Sequence, residues 1–486
     1  MKLHSTVRGL AIGLLALTAL TGVAEAATTV KVYMGQLYAP DSDPKSKATM
    51  DGIVADYEKL HPDTTIEIIP WLGGDQSTYF AWLATRYAAG DEPDIGWSHY
   101  YTRNAEPDRW TPLNQYLDGP NDYVPAGQPG HDHWTDEFFD NVKAQIRAPD
   151  GNFYQVNTDW VETGLFINND LMKQNGIDST QWKTWSDFIG SCKALRAKGI
   201  QPLGVFSTPG WSTDQWLDTL LISAAFADQI PSWHLPKYEN PYMSARQLTP
   251  EEMAKATHDG KFSTKDPRFD TFLDLTQEVT KNCLVEGFAG ITGLDQIMNL
   301  FFNDKVAMAW LGTWNAPTVR DTAKFSVTTT YFPPFTSENS KYLTTPTIYR
   351  VGGPSSSGQF GISSGAAERG TLDAAVDFLK YMTAPDQAQK IAAYDEGNLP
   401  VIKGVTPAPV AQGFTAISQL PERGITDAVS RFNGEQYGTP HNRLMQSFML
   451  GEISRDEMKT QYQALLDQAV KDQCDANAAN WDWCSK

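Results

Sequence analysis

The first strand of the chain reads TVKVYM (29–34), and TTIEII (64–69) and DIGWS (94–98) follow it as two further strand-like stretches. Both intervals carry apolar residues at helical spacing, and these patterns end at His61-Pro62 and at Gly90. Three strands alternating with two helices within about 70 residues predict a parallel sheet with helices on its faces. Ligands of such sheets bind in the loops at the carboxyl ends of the strands.

The loops that follow these strands, 36–38, 70–75 and 98–103, carry aromatic and hydrogen-bonding residues. Because the strand ends meet at one edge of a sheet, these side chains are candidates for ligand contact. The candidates are Gln36, Tyr38, Trp71, Asp75, Ser98, His99, Tyr100 and Tyr101. The alternative is that rings such as Trp71 and Tyr100 only cover the edge of the sheet.

A second α/β region follows, with its own strand and helix patterns. Strands are predicted at 165–168, 203–206 and 306–310, and a helix runs from Trp185 to near Gly199. The chain has 486 residues and no internal repeat, which is long for one domain and suits two.

The chain begins with the features of a secretion signal. Lys2 and Arg8 precede an apolar stretch from Leu10 to Leu20. The sequence AEA at 24–26 is a cleavage pattern. Residues 1–26 are therefore predicted to be a signal peptide. The apolar stretch is too short to span a membrane, and the absence of a cysteine near the cleavage site argues against a lipid anchor. We expect a soluble periplasmic protein.

Charge and aromatic content restrict the partners of the chain. The formal net charge is −19, and a field of this sign repels nucleic acid and anionic lipid. Highly anionic substrates are disfavoured for the same reason. The 15 tryptophans favour a ligand with an apolar face, such as a sugar ring.

Four cysteines in an oxidising compartment are expected to form disulfides. Cys474 and Cys484 would close a short loop near the C-terminus. Cys192 and Cys283 would then either pair with each other or remain as two buried thiols. No C-x-x-C motif supports a zinc or thioredoxin-type site.

Motifs for catalysis are weak in this sequence. It contains no H-E-x-x-H and no phosphate-binding loop, so neither an enzyme nor a cofactor is expected. The tripeptide HDH at 131–133 is the best metal candidate, but its loop context favours a solvated turn. Asp159 and Glu162 could form the carboxylate pair of a glycoside hydrolase, although an extended strand would place them on opposite faces.

Five stretches, taken in order, resemble the family 1 extracellular solute-binding proteins, the maltose-binding-protein-like receptors of ABC importers. They are AGDEPDI (89–95), GLFINNDL (164–171), FNDKVAM with GTW (302–308 and 312–314), GG with GIS (352–353 and 361–363) and GNLPV (397–401). The third stretch departs from the family pattern at Asp304, where a glycine is usual, and this affects a turn. The resemblance covers nearly the whole mature chain.

This resemblance implies a two-lobed, periplasmic-binding-protein-like α/β fold, each lobe a mostly parallel sheet flanked by helices. Three hinge crossovers are expected, near 158–163, 351–363 and 405–418. The first lobe would comprise 27–158 and 363–408, and the second would comprise 163–351 and 416–486. Closure about the crossovers encloses a ligand and signals occupancy. The resemblance further implies a monomer that delivers its ligand to the permease subunits of an ABC transporter.

Relatives of this kind bind sugar between the lobes, with aromatic rings under the sugar and planar polar side chains on its hydroxyls. The resemblance places Asp159, Trp160 and Glu162 on the first crossover, at the floor of the cleft. Trp314 is the leading aromatic candidate, because a tryptophan in this position stacks on sugar in relatives. Arg350 would contact the ligand or pair with an acid of the hinge. The remaining candidates are Trp211, Trp310, Gly352 and Gly353.

The ligand class stays open at this point. A di- or oligosaccharide is expected, and a polyol, uronate, polyamine or metal would suit the same fold. Tyr100 and Tyr101 give the metal alternative some weight, since iron receptors of this fold use clustered tyrosines. A secreted glycoside-active enzyme and an adhesive protein are the alternatives from other classes.

Overall fold

The computed structural model describes residue 1 and residues 27–41, 43–73, 76–98, 108–148, 151–207, 213–238, 248–353, 358–394, 396–414, 422–423 and 435–484. The predicted signal peptide lies outside the described residues apart from Met1. Five candidate site residues also lie outside them, namely Asp75, His99, Tyr100, Tyr101 and Trp211.

Short strands alternate with helices along the described chain. The strands are β1 (Thr28–Tyr33), β2 (Thr64–Ile69), β3 (Ile95–Trp97), β4 (Val156–Asn157), β5 (Asp159–Asn168), β6 (Gln201–Gly204), β7 (Val306–Gly312), β8 (Val327–Thr330), β9 (Tyr349–Arg350), β10 (Gly352–Gly353), β11 (Gln359–Ile362), β12 (Leu399–Pro400) and β13 (Glu422–Arg423). The helices are α1 (Pro44–Leu60), α2 (Gln76–Ala89), α3 (Asn114–Leu117), α4 (Asp140–Ile146), α5 (Asn169–Gln174), α6 (Trp185–Ala197), α7 (Thr213–Ala225), α8 (Pro250–His258), α9 (Pro267–Asn282), α10 (Leu294–Phe302), α11 (Ala316–Thr322), α12 (Leu372–Thr383), α13 (Pro385–Tyr394), α14 (Glu435–Met449) and α15 (Arg455–Asn477).

The first sheet has the strand order β2-β1-β3-β11-β4. Strand β1 pairs in parallel with both β2 and β3, which confirms the parallel arrangement predicted from the opening stretches. Strand β11 returns from late in the chain and pairs antiparallel with β3 and β4. The carboxyl ends of β1, β2 and β3 therefore meet at one edge.

Helix α1 begins earlier than the apolar spacing alone suggests. Asp43 is its N-cap, and its carboxylate accepts hydrogen bonds from the backbone N–H groups of Lys45 and Ser46. Pro44 occupies the first helical position, where its missing N–H costs nothing. The Asp-Pro pair therefore determines where the helix starts.

The second sheet has the order β10-β5-β7-β6, with β8 and β12 also pairing with β5. Strand β5 pairs antiparallel with β7, β8, β10 and β12, and only the β6–β7 pair is parallel. The expectation of a mostly parallel sheet is therefore wrong for this second sheet. Strand β5 runs straight in from the first sheet, so its direction is not set by a helical crossover connection.

Strand β5 is also longer than predicted, since it begins at Asp159 and not at Leu165. Its first half pairs with β10 and β12, and its second half pairs with β7 and β8. All ten of its residues are buried. The first predicted crossover is thus the opening half of a continuous strand.

Both disulfides are formed. Cys474 pairs with Cys484, which confirms the predicted C-terminal loop, and Cys192 pairs with Cys283. The second bridge is buried and joins α6 to the residue that follows α9. Beyond α15, the ring of Trp483 packs in the interior, and its Nε1–H donates to Glu251 of α8 at 3.0 Å.

Among the residues that the structure describes, no helix has the length and apolar character needed to cross a membrane.

Candidate ligand site at the crossovers

Two crossover segments run side by side as a hydrogen-bonded ribbon. Gly352 and Gly353 of β10 lie opposite Glu162 and Val161 of β5. The backbone N–H of Thr163 donates to the carbonyl of Val351 at 3.0 Å. At the other end, the N–H of Thr158 donates to the carbonyl of Gly358 at 2.8 Å. The ribbon joins the two sheets.

Gly352 has no alternative in this ribbon. A Cβ atom at this position would lie 2.4 Å from Oε2 of Glu162 and 2.5 Å from the carbonyl oxygen of Val161. Gly353 has a positive φ of 148°, which side-chain-bearing residues rarely adopt. Gly352 therefore allows the close approach of the two crossovers, and Gly353 allows the local backbone conformation.

A buried ion pair joins the first and second crossovers. Nη1 of Arg350 donates to Oε1 of Glu162 at 2.5 Å, and both side chains are fully buried. The indole N–H of Trp160 donates to the same carboxylate oxygen at 2.5 Å. The guanidinium of Arg350 also lies 5.5 Å from the centre of the Trp160 ring. Of the two roles predicted for Arg350, the structure shows pairing with an acid of the hinge.

Asp159 occupies the opposite face of β5 from Glu162, as the alternation of an extended strand requires. Its Oδ1 accepts from the backbone N–H of Gly358 at 3.1 Å, and its Oδ2 accepts from Nδ2 of Asn398 at 3.0 Å. Asp159 therefore fastens the first crossover to the second and to the GNLPV stretch.

Trp314 is an exposed aromatic residue next to the crossover ribbon, with 36% of its surface accessible. It lies in a 3-10 turn, Thr313–Asn315, directly after β7. Its ring lies against Gly312, where a Cβ atom would come within 2.2 Å of two ring carbons. The ring of Trp216 packs against the Trp314 ring, with the ring centres 6.2 Å apart and the ring planes nearly perpendicular.

Trp310 lies in the core and is 1% exposed. Its ring packs edge-on against Phe332 and Trp216, and its indole N–H donates to Oγ1 of Thr163 at 3.1 Å. Trp310 lies within strand β7, whereas Trp314 follows the end of that strand. Trp310 is thus a core residue in this structure.

A buried amide network, of which the sequence analysis named only Ser98, lies where β3 and β4 end and β11 begins. Oγ of Ser98 donates to Oε1 of Gln155 at 3.1 Å. Nε2 of Gln155 donates to Asn157 at 2.9 Å and to Gln359 at 3.2 Å. The cluster of four polar residues before Trp160 (QVNTD, 155–159) was the available signal.

The candidate residues after the first two strands differ in their exposure to solvent. Gln36 is exposed, whereas Tyr38 is buried and its hydroxyl donates to Asp51 of α1 at 3.1 Å. Trp71 is half-buried beside a group of aromatic residues from β1, β3 and α2. Trp97, at the end of β3, is also half-buried in that group and was missed by the sequence analysis, although it directly precedes Ser98.

Two histidine contacts hold the HDH tripeptide at 131–133 against neighbouring backbone. Nδ1 of His131 lies 2.8 Å from the carbonyl oxygen of Val124, and Nδ1 of His133 lies 2.7 Å from that of Asp118. Among the described residues, no group of three or more His, Cys, Asp or Glu side chains is arranged to hold a metal ion.

Solved structures of two other proteins share this fold. RafE from Streptococcus pneumoniae in its apo form matches with a TM-score of 0.63 at 17% identity, covering 92% of this chain and 99% of that chain. A family 1 extracellular solute-binding protein from Bifidobacterium longum subsp. infantis matches with a TM-score of 0.64 at 18% identity, covering 91% and 100%. At such identities the likeness shows a shared two-lobed α/β fold.

Sequence comparison gives the family. The model of the bacterial extracellular solute-binding proteins matches residues 52–418, and the chain belongs to this family. A multiple sugar-binding protein of Streptococcus mutans is 23% identical over 363 residues, covering 74% of this chain and 73% of that protein.

Proposed function

We propose that the protein is an exported receptor that captures an uncharged sugar between its two lobes and delivers it to the permease of an ABC importer. The observation that carries the proposal is the half-exposed ring of Trp314 beside the hydrogen-bonded crossover ribbon. An apolar ring next to fixed polar groups suits the two surfaces of a sugar, its C–H face and its hydroxyls.

The names of similar proteins support a carbohydrate. The Streptococcus mutans relative is a multiple sugar-binding protein. RafE has also been solved in complex with raffinose, and this chain matches that structure with a TM-score of 0.59 at 17% identity.

Charge at the crossovers favours a neutral ligand over a uronate. The cation of Arg350 is balanced by Glu162 within the same buried cluster. A ligand carboxylate would have to compete with that carboxylate, whose removal from the pair is costly. The strongly negative net charge of the chain acts in the same direction.

The proposed lobes follow the two sheets except at β12, which belongs to the first lobe but pairs with β5. We place 27–158 with 363–408 in the first lobe and 163–351 with 416–486 in the second. The paired crossovers would act as the hinge of closure, and the third crossover would lie near 405–418. Within it, Phe414 packs on Phe166 and Tyr331 of the second lobe.

We further propose that the chain is a receptor and not an enzyme. Asp159 and Glu162 lie on opposite faces of β5, each with its own partners, so they do not form a catalytic pair. Residues 361–365 (GISSG) match the pattern G-x-S-x-G. The serine of that pattern, Ser363, is buried, and its hydroxyl accepts from Nη2 of Arg369 at 2.9 Å.

Thermal-shift measurements of residues 27–486 against mono-, di- and oligosaccharides, polyols, uronates and polyamines test the proposal. A ligand that binds only the folded protein raises Tm by mass action. We expect a neutral sugar to raise Tm, and Trp314→Ala to abolish that rise. Trp182→Ala is the matched control, because Trp182 is a half-buried tryptophan held by Ser191 on α6. No rise with any carbohydrate would refute the sugar assignment.

A further inference from the structure

The residues that position Trp314 come from the other proposed lobe. Residues 396–400, here called the docking segment, follow α13 and belong to the second part of the proposed first lobe. Trp314 belongs to the second lobe. The docking segment nevertheless contacts the turn that carries Trp314 and the crossover strand below it.

Gly397 lies directly against the turn that carries Trp314. A Cβ atom on Gly397 would lie 2.9 Å from Cα of Trp314 and 3.2 Å from the carbonyl oxygen of Thr313. It would also lie 3.4 Å from Cδ of Pro317, the second residue of α11. The two backbones touch here, so any side chain at 397 must push the Trp314 turn and the docking segment apart.

The neighbours of Gly397 hold the docking segment in this place. Glu396 forms an ion pair with Arg320 of α11. Asn398 donates from Nδ2 to Asp159 at 3.0 Å. Leu399 and Pro400 pair with Trp160 and Asp159 of β5. The docking segment is thus fixed to α11, to the Trp314 turn and to the crossover ribbon at successive residues.

We infer that Gly397 and Glu396 are positioning residues for ligand capture, because they fix the turn that presents Trp314. Both act through Trp314. The Trp314 ring already occupies the space beside Gly312, so it cannot move further towards that strand when the turn is displaced. A change in the docking segment therefore alters where the aromatic platform lies. The inference rests on the proposed function only in taking Trp314 as the ligand contact.

The positional claim can be tested without a ligand. The protein is labelled with 5-fluorotryptophan, and the ¹⁹F resonance of Trp314 is assigned by its loss in Trp314→Phe. We expect Gly397→Ala to shift that resonance by more than its linewidth. Gly190→Ala is the matched control, because nothing lies within 4 Å of a Cβ at that position, and it should leave the resonance in place.

Glu396→Gln provides a second variant if Gly397→Ala does not fold. Glu396 and Arg320 are both about one-third or more exposed, so removing this charge leaves the core intact. A shift of the Trp314 resonance in Glu396→Gln supports the inference. An unchanged resonance in every folded variant of the docking segment, or an equal shift in Gly190→Ala, would overturn it. A failed sugar screen would leave either result standing, so the two proposals fail separately.

Discussion

Replacing Glu137 by glutamine should stabilise the protein at neutral pH. Glu137 ends a 3-10 turn, Trp134–Glu137, and its side chain is fully buried. Its Oε1 accepts from Nδ2 of Asn121 at 2.5 Å. Burial raises the pKa of the carboxyl from 4.5 to about 8, although hydrogen bonds such as that from Asn121 act to lower it. The folded protein therefore holds this group as a neutral acid at pH 7.

The size of the effect follows from this shift. Between pH 4.5 and 8 the folded state binds a proton here that the unfolded state releases, so the free energy of unfolding falls as pH rises through this window. Each pKa unit is worth about 1.4 kcal/mol, which gives a cost of about 3 kcal/mol at pH 7. Glutamine keeps the shape and the hydrogen bond from Asn121 but cannot ionise.

Urea denaturation of both proteins at pH 5, 6, 7 and 8 provides the measurement, with the disulfides kept oxidised. The difference in unfolding free energy between Glu137→Gln and wild type isolates this group, because the other titrating groups are common to both. It should be small at pH 5 and grow by about 1.4 kcal/mol per pH unit towards pH 8. Parallel pH profiles for the two proteins would refute the reasoning.

Three further changes test the energetics of the fold. Glu162→Gln breaks the buried pair with Arg350 and should lower the free energy of unfolding by about 3–5 kcal/mol, and a loss under about 1 kcal/mol in urea titrations would contradict this. Replacing Cys192 and Cys283 by alanine frees a loop of 91 residues and should cost about 4–5 kcal/mol on the loop-entropy model, measured as a fall in the denaturation midpoint. Gly190→Ala, in the open face of α6, should add about 0.5–1 kcal/mol, so a lower Tm in this variant would count against it.

Much of the first sheet could be predicted from local patterns. Strands β1 to β3 and their parallel pairing follow from β-branched stretches separated by amphipathic helices. The direction of β5 could not be predicted in the same way, because the apolar run at 165–168 does not reveal which strands it will pair with. Trp97 was overlooked for a related reason, since its neighbours Tyr79 and Gly35 are distant in sequence.

The sequence by itself determined the family and the elements of the first sheet. It also determined the terminal disulfide and the residues from which a ligand site could be drawn, because these depend on residue types at short spacing. Tertiary structure alone decided what those residues do. It buried Glu162 against Arg350 and bound Asp159 to Gly358 and Asn398 by hydrogen bonds. It also left the ring of Trp314 partly exposed against Gly312. Burial and charge pairing depend on partners up to about 240 residues away, and no local pattern specifies such contacts.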